Sequence, residues 1–181
     1  MSHALIIGGT GMLSKVTEYL AGKCDTVSAI SRDEKKINPN LKNINPLIVD
    51  YTYYKFLSKS LQSAVEKFGN IELVVSWIHS TAPFAPNIIA EKLNSYNTTL
   101  RFFDILGSAY ANPSGNNDER ETRLKENKNL LYRKIILGFK IEDNSSRWLT
   151  NDEISSGVIE AITNDEEEKI VGIVSPWDKR P

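Results

Sequence analysis

Three glycines, at positions 8, 9 and 11, end an apolar run in the stretch ALIIGGTGMLS (4–14). This arrangement is suited to holding a diphosphate. Glycine permits a tight turn out of a strand, and its missing side chain lets the backbone approach an anion. A helix starting directly afterwards adds free N–H groups and a partial positive charge. Gly9-x-Gly11-x-x-Ser14 fits the dinucleotide fingerprint with serine at its third glycine position, and Gly8-x-x-Gly11-x-x-Ser14 fits a related spacing equally well. The groups expected at the diphosphate are Gly8, Gly9, Thr10, Gly11, Met12 and Leu13. Ser14 is small enough to preserve most of the helix–strand contact.

The next strand end should select the cofactor. A site for NAD usually carries an acid there, about 20 residues after the glycines, to hold the ribose hydroxyls. This chain has Ser31-Arg32. A hydroxyl and a guanidinium suit a ribose 2′-phosphate, so NADP is the expected cofactor. Asp33 is the competing feature and would serve NAD if the strand ended later. The plain alternative makes Arg32 and Asp33 exposed turn residues.

Such a site needs strands to deliver these loops to one edge. Ala4–Ile7 is continuously apolar, as in a strand buried on both faces. Met12, Leu13, Val16, Tyr19 and Leu20 recur at helical spacing, with Gly22 able to end the helix. Thr26–Ser31 and Pro46–Asp50 read as strands. Phe56, Leu57, Leu61, Ala64, Val65 and Phe68 form one helical face before Gly69, and Ile71–Trp77 is a fourth strand. The alternation implies a Rossmann-like, doubly wound parallel α/β sheet in three layers. Further on, Ile88–Leu93 fits a helix, while Leu100–Leu106 fits a strand or a helix. Asn112–Asn129 is polar enough for a loop, a surface helix or partial disorder. Tyr132–Ile141 and Lys169–Ser175 read as strands, with Asp165–Glu168 a solvated turn. Thr150-Asn151-Asp152-Glu153 matches a capping box ahead of a helix with Ile154, Val158, Ala161 and Ile162 on its apolar face.

Composition narrows the function classes. At 181 residues the chain is expected to be a single domain over 1–181. With 40% hydrophobic and 25% charged residues it has the balance of a soluble globule. A net charge of −1, with Lys and Arg spread along the sequence, argues against nucleic acid or an anionic membrane as partner. Cys24 is the single cysteine, and there is no Cys/His cluster with zinc spacing, so no metal is expected. No apolar stretch reaches the length of a membrane span and no secretory signal is evident, which makes a cytoplasmic location the default. The partner expected is a small-molecule substrate; association with further copies of the chain is left open.

With these features the sequence resembles the short-chain dehydrogenase/reductase family, in particular its atypical members. The matching residues are GGTGMLS at 8–14, Ser31-Arg32, Val49-Asp50, and the segment SWIHSTAP (76–83) leaving the fourth strand. The resemblance covers about the first 80 residues well and the remainder loosely. It implies an acid near the adenine ring, which maps to Asp50, and a small-residue loop along the cofactor. The family's Tyr-x-x-x-Lys signature, in which lysine lowers the tyrosine pKa, belongs on a helix after the fifth strand. Here that spacing occurs at Tyr19/Lys23 and Tyr51/Lys55, both too early, while Tyr110 and Tyr132 are followed four residues later by Ser114 and Ile136. The chain is also shorter than most of the family, so a substrate-covering segment is expected to be reduced.

In place of the signature, Ser108 in LGSAY (106–110) falls where the family places its substrate-polarising serine. Tyr110 is two residues on. His79 leaves strand four at the carboxyl edge, where ligands bind in open α/β sheets, and its side chain suits proton transfer near neutrality. Ser108, Tyr110 and His79 are therefore the candidate catalytic set. The alternative makes His79 a polar loop residue beside the cofactor and the other two turn or surface groups. Trp77, Trp148 and Trp177 read as packing residues. Two functions remain: an NADP-dependent oxidoreductase acting on a small carbonyl or alcohol, and a non-catalytic dinucleotide-binding module that senses redox state or contributes to an assembly. A Rossmann-like methyltransferase or nucleotide binder fits less well, because its glycine loop has no need of an arginine at the second strand end.

Overall fold

The computed structural model describes residues 3–96, 98–112, 114, 115, 118–143 and 145–181. The chain runs β1 (His3–Ile7), α1 (Ser14–Ala21), β2 (Thr26–Ser31), β3 (Ile44–Ile48), α2 (Tyr54–Phe68), β4 (Leu73–Trp77) and α3 (Ala85–Asn94). It continues through β5 (Leu100–Gly107), α4 (Asp118–Lys125), β6 (Leu130–Leu137), β7 (Phe139–Glu142), β8 (Ser145–Trp148), α5 (Asn151–Asn164) and β9 (Glu168–Val171). Seven strands form one sheet in the order β3-β2-β1-β4-β5-β6-β9, with every pairing parallel. β7 and β8 make a separate antiparallel hairpin.

The apolar runs are explained by what covers them. Leu5, Ile7, Val74 and Phe102 pack under α2, α3 and α4, while Ala4, Ile6, Val75 and Phe103 pack under α1 and α5. Alternate residues of each strand thus serve opposite faces, and all five residues of β1 are buried. The result is a three-layer Rossmann-like α/β fold. Its chain reverses direction across the sheet between β1 and β4, which opens a crevice at their carboxyl ends. No described helix is long and apolar enough to cross a membrane.

Several boundaries differ from the sequence reading, each for a local reason. β3 begins at Ile44 and stops at Ile48, so Asp50 lies beyond it. The Val49 N–H bonds the Ser31 carbonyl, which turns residues 45, 47 and 49 toward β2 and leaves the Pro46 nitrogen on the outer edge, where no ladder bond is lost. Phe56 is 64% exposed; the buried face of α2 is Leu57, Leu61, Ala64 and Val65. Leu100–Gly107 is a strand, with both faces buried between its neighbours. Within Asn112–Asn129, residues 118–125 form α4, a surface helix; Pro113, Asn116 and Asn117 lie outside the described residues.

The reading of Tyr132–Ile141 as one strand is corrected to two. A Cβ on Gly138 would fall 2.1 Å from the Ile173 carbonyl oxygen, and there the chain leaves β6 for the hairpin. The last strand is shorter than Lys169–Ser175, because Gly172 at φ 77° ends it after Val171. Asp165–Glu168 is more than a solvated turn. Asp165 ends α5 in the left-handed region (φ 52°) and accepts two hydrogen bonds from Arg133, while Glu168 pairs with Lys134. The Thr150/Glu153 capping box is present in both directions.

One polar group sits in the middle of this core. Asp104 on β5 is fully buried and pairs with Arg120 of α4, while the Tyr132 hydroxyl of β6 donates to it at 3.4 Å. This contact ties the short polar helix α4 to the sheet. Removing the carboxyl from water outweighs the neighbouring guanidinium, so the Asp104 pKa is pushed up to about 6. The buried Ser76 Oγ, Asn87 Oδ1 and Arg120 Nε have no hydrogen-bond partner among the described residues.

Because the folded-state pKa is raised, Asp104 favours the folded state most fully when protonated, below about pH 4. That contribution is lost as pH rises through about 6. The stability of the wild type relative to Asp104→Asn should therefore fall by roughly 2 kcal/mol between about pH 4 and pH 7. Urea denaturation of both proteins at the two pH values measures this, and a constant difference would contradict it.

Candidate functional site

The glycine loop between β1 and α1 is built by two close approaches. Gly8 has φ 82°, and a Cβ there would lie 3.0 Å from Trp77 Cβ at the end of β4. A Cβ on Gly9 would lie 2.4 Å from Thr17 Oγ1 and 3.0 Å from Ile6 Cδ1. Gly9 is thus the residue that lets α1 pack onto the sheet. Thr17 fixes it by donating to the Gly9 carbonyl at 2.8 Å, and Ser155 of α5 donates to the Met12 carbonyl at 2.9 Å. A Cβ on Gly11 would meet nothing within 4 Å, so the loop opens to solvent there. No side chain caps the start of α1 and its first turn holds no acid, which leaves its positive end uncompensated.

Gly8, Thr10, Gly11 and Met12 line a cavity of about 350 Å³ in the crevice between the strand ends. Gly9 and Leu13, both expected at the diphosphate, are buried beneath the loop, and the Leu13 side chain belongs to the core with Val16 and Leu20. The far wall comes from the end of β2: Ile30, Ser31, Arg32, Asp33 and Lys36. The Ser31 hydroxyl is engaged with the Asp33 backbone, donating to its carbonyl at 2.8 Å and accepting from its N–H at 3.1 Å. The Asp33 carboxylate accepts the Lys35 N–H at 3.0 Å and so caps a short turn over 34–36. Arg32 and Lys36 are exposed and make no ion pair among the described residues.

Val49 and Tyr51 close the third side. Asp50, between them, accepts from the Thr52 N–H at 2.9 Å and from its hydroxyl at 2.8 Å, and these bonds hold its carboxyl below the usual range. It organises the turn and is not among the lining residues. His79 does line the cavity, edge-on to Trp77 with ring centroids 5.5 Å apart.

Trp77 is also a wall of a second cavity, of about 220 Å³, at the ends of β4, β5 and β6. Its other walls include Gly107, Ser108, Leu137, Trp148 and Leu149. Ser108 is buried there and its Oγ accepts from Arg180 Nε at 2.7 Å. Tyr110, two residues on in the same turn, lies beside Arg120 and helps to hold the guanidinium pKa up. The candidate trio is therefore divided: Ser108 faces the second cavity, His79 the first, and Tyr110 the Asp104–Arg120 pair. No hydrogen bond joins any two of the three among the described residues. Of the Tyr-x-x-x-Lys spacings, Tyr19 bonds Thr163 away from the site and Tyr51 lines the first cavity.

The fold has clear counterparts. A short-chain dehydrogenase/reductase from Serratia marcescens superposes with a TM-score of 0.66 at 11% identity, covering 93% of this chain and 94% of that one. A short-chain dehydrogenase/reductase from Brucella melitensis, of the glucose/ribitol dehydrogenase type, gives a TM-score of 0.68 at 13% identity, covering 93% of each. An apo SCOR enzyme from Clostridium thermocellum gives 0.65 at 17% identity, covering 100% of this chain and 95% of that one. No protein-family profile matches the sequence, and no curated protein matches it. What these structures share with this chain is the fold.

Sequence reasoning missed Thr17, Ser155 and Lys36. The first two act through main-chain carbonyls, which no spacing marks; Lys36 stood in a lysine pair that reads as an ordinary solvated turn. The glycine contacts make a direct test. Gly9→Ala forces Thr17 off its bond to the Gly9 carbonyl and should cost about 1–3 kcal/mol. Gly11→Ala should stay within about 0.5 kcal/mol of the wild type. Urea midpoints of both variants decide this, and equal losses would refute the division of roles.

Proposed function

We propose that the chain is an NADP(H)-binding oxidoreductase of the short-chain dehydrogenase/reductase type, acting on a small carbonyl or alcohol. One observation carries the reading: the loop open at Gly11 and two exposed cations, Arg32 and Lys36, with no ion pair among the described residues, face the same 350 Å³ cavity. The diphosphate rests on the loop backbone at Gly8, Thr10, Gly11 and Met12, ahead of α1. Arg32 and Lys36 take the ribose 2′-phosphate, and Ser31 and Asp33 shape the turn that presents them. One oxygen of Asp33 holds the Lys35 N–H, which fits a part in the turn that presents the two cations. Val49 and Tyr51, held by the Asp50 turn, flank the adenine. The naming of several structural neighbours as dehydrogenases or reductases supports the reaction class.

When bound, the cofactor supplies or accepts the hydride. The chain supplies position and a proton. Ser108 accepts a hydrogen bond from Arg180, so its own hydroxyl hydrogen is free to polarise a carbonyl oxygen in the second cavity. His79, across Trp77, is the nearer group to bulk water and serves proton exchange. Tyr110 acts on the turn that carries Ser108. A second reading, a dinucleotide-binding module without catalysis, is favoured by the separation of Ser108, Tyr110 and His79 into different surroundings.

Fluorescence titration should show NADPH binding at least about tenfold tighter than NADH, with Arg32→Ala/Lys36→Ala removing the difference. Equal affinities in the wild type would overturn the cofactor assignment. In a carbonyl-reduction screen, Ser108→Ala should lower kcat by about 100-fold with NADPH affinity unchanged. Reduction untouched by Ser108→Ala and His79→Ala would reject these residues, and NADPH binding with no reduction would favour the module.

A further inference from the structure

The walls of the second cavity are mainly apolar, yet it has a cation at its rim. Residues 176–181 cross the carboxyl edge of the sheet, turning through Trp177–Lys179, with the Arg180 N–H bonded to the Trp177 carbonyl at 3.1 Å. The Arg180 guanidinium carbon stands 5.0 Å from the ring centre of Trp148 and 5.3 Å from that of Trp177, and Nε bonds Ser108. Two of these three holders, Ser108 and Trp148, are themselves walls of the cavity. Stacking on aromatic rings and an Nε bond fix the plane of a guanidinium and leave its two terminal nitrogens as a fork. Among the described residues no carboxylate pairs with Arg180, whereas the neighbouring Arg147 and Lys140 are committed to Glu142 and Glu153.

We propose that this cavity binds a small carbonyl compound bearing a carboxylate, with the Arg180 fork as its counter-charge. The proposal rests on the reading of the chain as an oxidoreductase for the carbonyl itself, and adds the class of substrate. A volume of about 220 Å³ limits the body to a few carbons or a single ring. One uncommitted cation at the rim matches the single charge of a carboxylate better than the double charge of a phosphate ester. The spacing of the two polar groups also fits: Arg180 Nε already touches Ser108 Oγ, so a carboxylate on the fork brings a nearby carbonyl within reach of the serine hydroxyl.

The test uses the full chain without cofactor, so that it stands apart from dinucleotide binding. Tryptophan fluorescence is titrated with 2-oxobutanoate, 4-oxopentanoate and phenylglyoxylate, and with the methyl ester of each. At least one acid should bind about tenfold tighter than its ester, and Arg180→Gln should erase that preference while NADPH affinity stays unchanged. Arg180→Lys should recover part of it. Acid and ester binding equally, a preference that survives Arg180→Gln, or no binding of any acid would overturn the proposal. Failure of NADPH to bind while the acid preference holds would instead overturn the oxidoreductase reading alone.

Discussion

The approach of α1 to β1 at Gly9 is the constraint from which the site follows. With no Cβ at that position, Thr17 reaches the Gly9 carbonyl and the helix settles against Ile6. This contact aims the free end of α1 along the carboxyl edge of the sheet. A helix terminus contributes only about 0.3–1 kcal/mol to holding an anion at a surface. Its direction therefore matters more than its strength, and packing sets the direction. Ser155 secures the other end of the same loop to α5, so the loop is anchored by both helices of one layer.

Trp77 gives the site its second organising element. It closes against Gly8 on one side and forms a wall of each cavity on the other, so the two spaces meet at one indole. The charges are distributed to match. The cations of the first cavity, Arg32 and Lys36, are exposed and make no ion pair among the described residues, while Asp104 deep in the sheet and Arg120 of α4 neutralise one another. The place where the resemblance implies a tyrosine–lysine pair is occupied by a helix whose arginine is used structurally. Any chemistry is left to the edge residues.

The first half of the fold was legible because each element there carries its own signal. β1, β4 and the core face of α2 are apolar runs or stripes, and the glycine loop follows the first of them directly. Phe56 misled because it is a large apolar residue beside Leu57, whereas the buried stripe of α2 runs through Leu57, Leu61, Ala64 and Val65 and leaves Phe56 on the solvent side. Leu100–Gly107 was ambiguous because a strand buried on both faces and a buried helix look alike over eight residues. At the site, Arg32 was legible from its place after β2. Arg180 was not, since its partner Ser108 is 72 residues away and no local pattern joins them. The division of Ser108 from Tyr110 was equally hidden: the turn between them sends neighbouring side chains to different layers of the protein.

Pro46 has a consequence beyond the placement of β3. Its nitrogen faces outward from the last strand on that side, so the row of donors a further strand would need is interrupted at its centre. Lateral growth of the sheet, by which exposed parallel edges recruit other chains into fibrous assemblies, is blocked at that margin by a single ring.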